Sequence, residues 1–184
     1  MKKIFHTSLK LVFSAFFVTI LAMESTAQNA HVLNPAFARK ISSMIKMSVP
    51  LMDVDQLNEH YSNYYLIDTR KKEEYDLSHL KGAQLVYYKA KDKELKQIPK
   101  GKPVVVYCSI GVRSELLGER LQQMGYQVYN LYGGLFEWAN RNLPVYQTDQ
   151  NNIESPSRTI HQYNFMWGKW MDNKKYSKQG MIFP

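Results

Sequence analysis

Cys108 is the residue best suited to chemistry, because it is the single cysteine of the 184-residue chain and begins a short loop between an apolar run and a helix-forming segment. Gly111 permits a sharp backbone turn, in which successive N–H groups converge on an anion. A helix that starts near Val112 adds the positive end of its dipole, and Arg113 adds a cation. These groups favour a thiolate, so we predict a pKa for Cys108 below the usual value of about 8.5.

The same loop predicts a binding site for a small anion or a terminal sulfur atom. We assign Cys108 as the nucleophile, the backbone N–H groups from Ser109 to Arg113 as the anion cradle, and Ser114 as a helix cap or a further donor. The predicted substrate-binding residues are Ser109, Ile110, Gly111, Val112, Arg113 and Ser114. The alternative is an inert buried thiol, since free cysteines are often buried.

The elements around this loop alternate between strand and helix patterns. The most strand-like segment is 104–107, a β-branched run that predicts a central parallel strand ending at Cys108. Further strands are predicted at 64–67, 84–87 and 128–131, and helices at 72–77, 112–124 and 135–141. This alternation predicts an α/β fold, an open parallel sheet of about five strands with helices on both faces. Ligand sites in such sheets lie at the carboxyl ends of the strands, where Cys108 falls.

The first 27 residues have the pattern of a secretory signal peptide. Lys2 and Lys3 precede an apolar run over 11–23, and small residues end the segment at Ala27. We therefore expect a periplasmic or secreted protein with no stable membrane insertion after cleavage. An uncleaved membrane anchor is the alternative, although the run is shorter than the 20 or so residues of a typical span.

The remaining chain divides into three segments. Residues 28–50 are expected to form a helical extension, in which Asn34 caps a short amphipathic helix reaching Met47. Residues 51–146 are the predicted domain. Residues 147–184 are aromatic and basic, without a clear period. This tail either packs back on the domain or binds a protein partner, and packing is the preferred interpretation.

Charge and composition narrow the function only modestly. The chain carries 24 Lys and Arg against 16 Asp and Glu, a net charge of +8. Without residues 1–27, which hold three Lys and one Glu, the balance becomes 21 minus 15, or +6. Such a surface attracts anions. No nucleic-acid-binding motif is present, so we predict no nucleic-acid partner, and the histidines show no grouping typical of a metal site.

Three ordered motifs over roughly residues 50–146 resemble those of the rhodanese-like domain family. The first, over residues 64–83, has the skeleton Asp-x-Arg, Glu-aromatic and His-apolar-x-Gly-Ala. Its matching residues are Asp68, Arg70, Glu74, Tyr75, His79, Leu80, Gly82 and Ala83. The second is the Cys108 loop, as Cys-x-x-Gly-x-Arg-Ser, and the third is Gly-Gly-x-x-x-Trp, from Gly133 to Trp138. The sequence is thus similar to a single-domain, exported member of this family.

The resemblance implies a sulfurtransferase. In rhodaneses the loop cysteine attacks a sulfane sulfur and becomes a persulfide, and a thiophilic acceptor then removes that sulfur, without a metal or organic cofactor. The implied partners are a small sulfur-containing anion, as thiosulfate, persulfide or polysulfide, and a thiol acceptor. The alternative is a non-enzymatic interaction or persulfide-sensing module.

Two details of the loop refine that implication. Four residues separate Cys108 from Arg113, whereas cysteine-dependent phosphatases place five there to surround a phosphate, which argues against phosphatase chemistry. Thiosulfate-preferring members often carry a basic residue directly after the cysteine, where this chain has Ser109 and then Ile110. This departure makes thiosulfate a doubtful physiological donor.

The other motif residues are expected to support the site rather than to react. Asp68 and Arg70 are predicted to brace it through an ion pair or a hydrogen-bond network, with Glu74 as a candidate partner for Arg70. His79 is expected to be a hydrogen-bonded structural residue rather than a general base. Trp138 is expected to belong to the core.

Overall fold

A computed structural model describes residues 30–180. The predicted signal peptide, residues 1–27, lies outside the described residues, so its assignment stays a prediction. The described helices are α1 (Pro35–Ser42), α2 (Val54–Glu59), α3 (Lys72–Leu77), α4 (Asp92–Leu95), α5 (Val112–Gln123), α6 (Gly134–Asn140) and α7 (Phe165–Gly168), with a 3-10 turn at Tyr61–Asn63. The described strands are β1 (Leu51–Met52), β2 (Tyr65–Asp68), β3 (Gln84–Leu85), β4 (Val104–Tyr107), β5 (Val128–Leu131), β6 (Val145–Thr148), β7 (Glu154–Ser157), β8 (Thr159–His161) and β9 (Ser177–Gln179).

The main sheet has five parallel strands in the order β1-β5-β4-β2-β3. Its centre is β4, in which Val105 lies opposite Leu66 of β2 and Tyr129 of β5. All four residues of β4 are buried, as its continuous apolar sequence requires for a strand covered on both faces. The predicted α/β fold with a five-stranded parallel sheet is therefore confirmed.

Side chains of β4 alternate between two apolar cores, one on each face of the sheet. Val104 and Val106 belong to a core that includes Leu117 and Leu121 of α5. Val105 and Tyr107 belong to the opposite core, whose helical members come from α1, α2 and α6. Helices thus cover both faces, and the buried strand β4 places Cys108 at the carboxyl edge of the sheet.

The N-terminal extension differs from its predicted helix. Asn34 does cap α1, accepting hydrogen bonds from Ala36 N at 2.9 Å and Phe37 N at 3.2 Å. The helix ends at Ser42 rather than continuing to Met47. A tertiary contact is the cause. The backbone N–H groups of Lys46 and Ser48 donate to the Glu115 carboxylate of α5 at 2.8 and 3.0 Å, so they do not form the hydrogen bonds that would continue the helix.

The described part of the tail, residues 147–180, packs back on the domain. Strand β7 pairs with β6 in an antiparallel hairpin, and β8 pairs with β9. Trp170 stacks on Phe37 of α1 with ring centroids 5.5 Å apart, and Ile160 and Met171 are fully buried. The tail and the N-terminal extension therefore meet on one side of the molecule. Within residues 30–180, no helix has the length and apolar character that a membrane crossing needs.

Candidate active site

Cys108 lies at the start of a loop whose backbone is held on two sides. Its side chain is buried, and Gly111 takes a left-handed φ of 108° as the N-cap of α5. That conformation suits glycine, since L side chains rarely adopt it. The N–H groups of Leu135 and Phe136 in α6 donate to Cys108 O and Ser109 O at 2.9 and 3.1 Å. The loop is therefore clamped between the first turns of α5 and α6.

The sulfur of Cys108 is surrounded by backbone donors. Gly111 N donates to Sγ at 3.1 Å, and the N–H groups of Ile110 and Ser114 also face the sulfur. Burial raises the pKa of the Cys108 thiol, but the Arg113 charge and these three N–H groups outweigh it, so the net pKa lies below the usual value. The sequence predicted a cradle of N–H groups from Ser109 to Arg113; of these, Ile110 and Gly111 face the sulfur, and Ser114 adds a third N–H from beyond the predicted range.

Arg113 is the charged neighbour of the thiol, and Glu74 fixes it. The guanidinium donates to Glu74 Oε2 at 2.6 Å and Oε1 at 2.7 Å, and also to Ser109 Oγ at 3.1 Å. The ring of Tyr163 lies 5.2 Å from Arg113 Cζ, within cation–π range. Burial raises the pKa of Glu74, but the hydrogen bonds and positive charge of Arg113 lower it by more. The net pKa of Glu74 therefore lies below its ordinary value.

The prediction that Glu74 pairs with Arg70 is wrong. Arg70 is fully buried and pairs with Asp68, to which Nε donates at 2.9 Å and Nη2 at 2.6 Å, and Nη2 also donates to Ser78 O. Glu74 faces Arg113 instead, because its carboxylate leaves the first turn of α3 toward the loop. No spacing in the sequence distinguishes the two arginines as partners.

Asp68 and Arg70 brace the edge of the sheet beside Cys108. Asp68 lies opposite Tyr107 in the register of β2 and β4. The next residue, Thr69, donates its backbone N–H to Tyr107 O at 2.9 Å and its hydroxyl to the same oxygen at 3.0 Å. The ion pair between Asp68 and Arg70 thus stabilises a segment that is hydrogen-bonded to Tyr107, the residue directly before Cys108.

Ser114 and Asn130 form a connection that the sequence analysis did not find. Ser114 Oγ donates to Asn130 Oδ1 at 2.7 Å, and Asn130 Nδ2 donates to Gly111 O at 2.9 Å. The Ser114 hydroxyl is therefore engaged with β5 rather than free to bind an anion, which corrects one of its two predicted roles; its backbone N–H faces the sulfur. The signal available in the sequence was a polar Asn inside the otherwise apolar strand β5, where Asn130 is itself fully buried.

A pocket of about 170 Å³ opens above the thiol. The loop contributes one wall through Cys108, Ser109, Ile110, Val112 and Arg113. Met44 from the N-terminal extension and Tyr163 and Trp167 from the tail form the other wall. The sequence analysis missed these three residues, because they lie far from the loop in the chain and no motif marks them.

The remaining motif residues are structural. His79 is fully buried, with Nδ1 2.7 Å from Tyr75 O and Nε2 3.0 Å from Glu154 Oε1, so both ring nitrogens are engaged away from the thiol. Trp138 is buried and donates Nε1–H to Pro144 O at 2.9 Å. Among the residues that the structure describes, no group of His, Cys, Asp and Glu could hold a metal ion.

Comparison with known proteins identifies the class to which this fold and loop belong. Residues 53–141 match the model of the family described as Rhodanese-like domain, and the chain belongs to that family. It is similar in fold to a rhodanese-related protein from Thermoplasma volcanium, with a TM-score of 0.50 and 23% identity over 52% of this chain and 95% of that one.

Two curated relatives carry names that describe an activity. A sulfurtransferase of Allochromatium vinosum is 44% identical over 52 residues, which cover 28% of this chain and 49% of that protein. The thiosulfate sulfurtransferase GlpE of Vibrio cholerae is 29% identical over 82 residues, which cover 44% of this chain and 77% of that protein. The chain spans between 25% and 49% of the length of the first curated relatives it matches.

Proposed function

We propose that this protein is a sulfurtransferase that carries a sulfane sulfur on Cys108 as a persulfide. The observation that carries the proposal is the buried Cys108 thiol, which faces three backbone N–H groups and has its pKa lowered in the presence of Arg113. The sulfurtransferase names of two relatives support the same class of reaction. The donor, the acceptor and the persulfide itself are part of this proposal.

The first step transfers sulfur from the donor to the protein. The Cys108 thiolate attacks the outer sulfur of a sulfane donor, forming an Sγ–S bond, while the bond between that sulfur and the rest of the donor breaks. The leaving group departs as sulfite, sulfinate or thiolate with the bonding electron pair, so no external oxidant takes part. The terminal persulfide sulfur carries one negative charge, which N–H groups of the loop stabilise.

The second step returns the thiol to its starting state. An acceptor thiolate or cyanide attacks the terminal sulfur of the persulfide, the Sγ–S bond breaks, and Cys108 leaves as a thiolate with the electron pair. The product is an acceptor persulfide or thiocyanate. Lowering the pKa of Cys108 serves both steps, because it raises the fraction of attacking thiolate and makes the same sulfur a better leaving group.

The experiment measures thiocyanate formed from cyanide, and thiol persulfide formed from a thiol acceptor, with thiosulfate and methanethiosulfonate as alternative donors, for the protein and its Cys108→Ala variant. We expect turnover by the protein and none by the variant, with an added mass of about 32 Da on Cys108 after donor alone. Equal product from both proteins would refute the catalytic role. An adduct without turnover to any acceptor would favour the persulfide-sensing alternative.

We also propose that the protein acts outside the cytoplasm, on the basis of the signal-like pattern over residues 1–27. The test is expression of the full chain followed by cell fractionation and N-terminal sequencing. We expect a periplasmic or secreted protein beginning at Gln28. A cytoplasmic protein that retains Met1 would contradict the proposal.

A further inference from the structure

The wall of the pocket opposite the loop comes from outside the region shared with the family. The family match covers residues 53–141, whereas Met44 precedes it and Tyr163 and Trp167 follow it. All three side chains line the pocket above Cys108. The pocket above Cys108 is therefore completed by residues that the shared domain does not contain.

This wall is apolar, and the site offers little free positive charge. Among the described residues that line the pocket, Arg113 is the only charged one. Both of its terminal nitrogens donate to the Glu74 carboxylate, and Tyr163 covers its face. The ammonium of Lys40 lies 5.8 Å from the Trp167 ring centroid and is not among the lining side chains. A dianion entering this pocket would lose water and would meet backbone N–H groups but no cation that is not already paired with a carboxylate.

The size of the pocket suits an apolar group rather than a bare oxyanion. Its volume is about 170 Å³, and an apolar protein cavity of roughly 150 Å³ holds a benzene ring. Trp167 and Tyr163 present aromatic side chains to that space, and Met44 adds a flexible thioether that adapts to irregular apolar shapes. The lining therefore fits an aromatic or branched apolar substituent.

We propose that the sulfane donor of this protein is an organic persulfide or thiosulfonate with an apolar substituent, at most singly charged, rather than thiosulfate. This inference rests on the proposed sulfurtransferase function. For a thiosulfonate, the Cys108 thiolate forms a bond to the terminal sulfur as the S–S bond to the sulfonyl group breaks. The products are the Cys108 persulfide and an organic sulfinate, each with one negative charge, like the two reactants.

The experiment compares three donors with the full chain and cyanide as acceptor: benzenethiosulfonate, methanethiosulfonate and thiosulfate. The first two carry the same charge and differ in apolar surface, so their kcat/KM ratio reports the apolar wall. We expect benzenethiosulfonate to be the best of the three. In Trp167→Ala that ratio should fall about tenfold, the loss expected from exposing an aromatic contact.

The matched control is Phe165→Ala, which removes an aromatic side chain from the same short helix. Phe165 is 80% exposed and does not line the pocket, so its removal should leave all three kcat/KM values unchanged. A second variant, Met44→Lys, adds a cation at a position that is 39% exposed and should raise the kcat/KM for thiosulfate relative to benzenethiosulfonate.

The outcomes separate this inference from the proposed function. The proposal of an apolar donor would be overturned if the two thiosulfonates were used equally, if Trp167→Ala left their kcat/KM ratio unchanged and if Met44→Lys left the use of thiosulfate unchanged. That result would still agree with the proposed sulfur transfer. If Trp167→Ala does not fold, Met44→Lys alone decides. No turnover of any donor would overturn both.

Discussion

Glu74 and Arg113 form a bidentate ion pair with N–O distances of 2.6 and 2.7 Å directly beside the Cys108 loop, across 39 residues of sequence. The pair joins α3 to the Cys108 loop and holds the guanidinium in one orientation. It also reduces the positive charge that the thiol experiences. The charge near Cys108 is therefore set by an ion pair rather than by a lone arginine. Four predictions concern this pair and the residues that hold the Cys108 loop.

Removing the pair should weaken the acidity of Cys108. In the double variant Arg113→Gln/Glu74→Gln, burial of the thiol is opposed by backbone N–H groups alone, so the pKa of Cys108 should rise and alkylation at pH 7 should slow severalfold, because less of the thiol is ionised. The pH dependence of iodoacetamide alkylation measures this. Arg120→Gln is the control, since Arg120 is on the same helix and pairs with Asp92. An unchanged pH profile in the double variant would contradict the role of the pair.

Glu74 should also stabilise the fold in a pH-dependent manner. Glu74→Gln breaks a largely buried ion pair and should lower the free energy of unfolding by about 3 kcal/mol at pH 7. Because the folded-state pKa of Glu74 lies below its ordinary value, this stabilisation is present above the unfolded pKa of about 4.3 and is lost as the pH falls through the folded pKa. The difference between the two proteins should therefore shrink below about pH 4.

Urea unfolding at several pH values measures that difference. The control is Glu73→Gln, whose side chain is 59% exposed and lies one residue away; it should change the stability by less than about 0.5 kcal/mol. A Glu74→Gln effect that stays constant from pH 7 to pH 3 would show that packing, not charge, is the source.

Gly134 should tolerate alanine far less well than Gly82, although both have positive φ values, 57° and 68°. A Cβ at Gly134 would overlap Cys108 O and lie 2.8 Å from Ile110 N, whereas one at Gly82 would meet nothing within 4 Å. Gly82→Ala should cost about 1–2 kcal/mol from backbone strain alone. Gly134→Ala should cost at least about 2 kcal/mol more and slow alkylation of Cys108. Equal losses in urea unfolding would mean that the close approach is easily relieved.

Asn130 should couple the loop to the sheet. Asn130→Ala removes the partners of Ser114 Oγ and Gly111 O, two buried groups, and should cost about 2–3 kcal/mol. Ser114→Ala removes one of the same bonds, so the two losses should not add. A double-mutant cycle on urea unfolding measures the coupling, which we expect to be about 1 kcal/mol. Strict additivity would argue against a shared network.

Local pattern was enough to predict the centre of the fold. The run Val104–Tyr107, the cysteine after it and the glycine at position 111 predict a buried strand, a thiol at its end and a turn within eight residues, and the structure has this arrangement. The role of Cys108 as nucleophile stays a prediction. Strand β1, in contrast, has only two residues and carries no period that could be recognised. Its pairing with β5 is set by tertiary contact alone.

The parts of the site that the sequence did not reveal all depend on long-range contacts. Arg70 lies four residues from Glu74 in the first motif, whereas Arg113 lies 39 residues away in the second, and only the fold shows that Asp68 pairs with Arg70 and Glu74 with Arg113. Tyr163 and Trp167 lie more than fifty residues beyond Cys108, in a tail whose short strands have polar sequences. A single sequence contains no spacing rule for such contacts.

One wall of the pocket is formed by residues from both flanks of the family domain. This has a practical consequence for the choice of fragment boundaries. A fragment cut at the family boundaries, residues 53–141, would keep the thiol, its N–H donors and the Glu74–Arg113 pair but would lose Met44, Tyr163 and Trp167. Such a fragment would leave the pocket above the sulfur open to water on the side that these three residues cover. Its donor preferences would then describe the shared scaffold, not the protein that the whole chain builds.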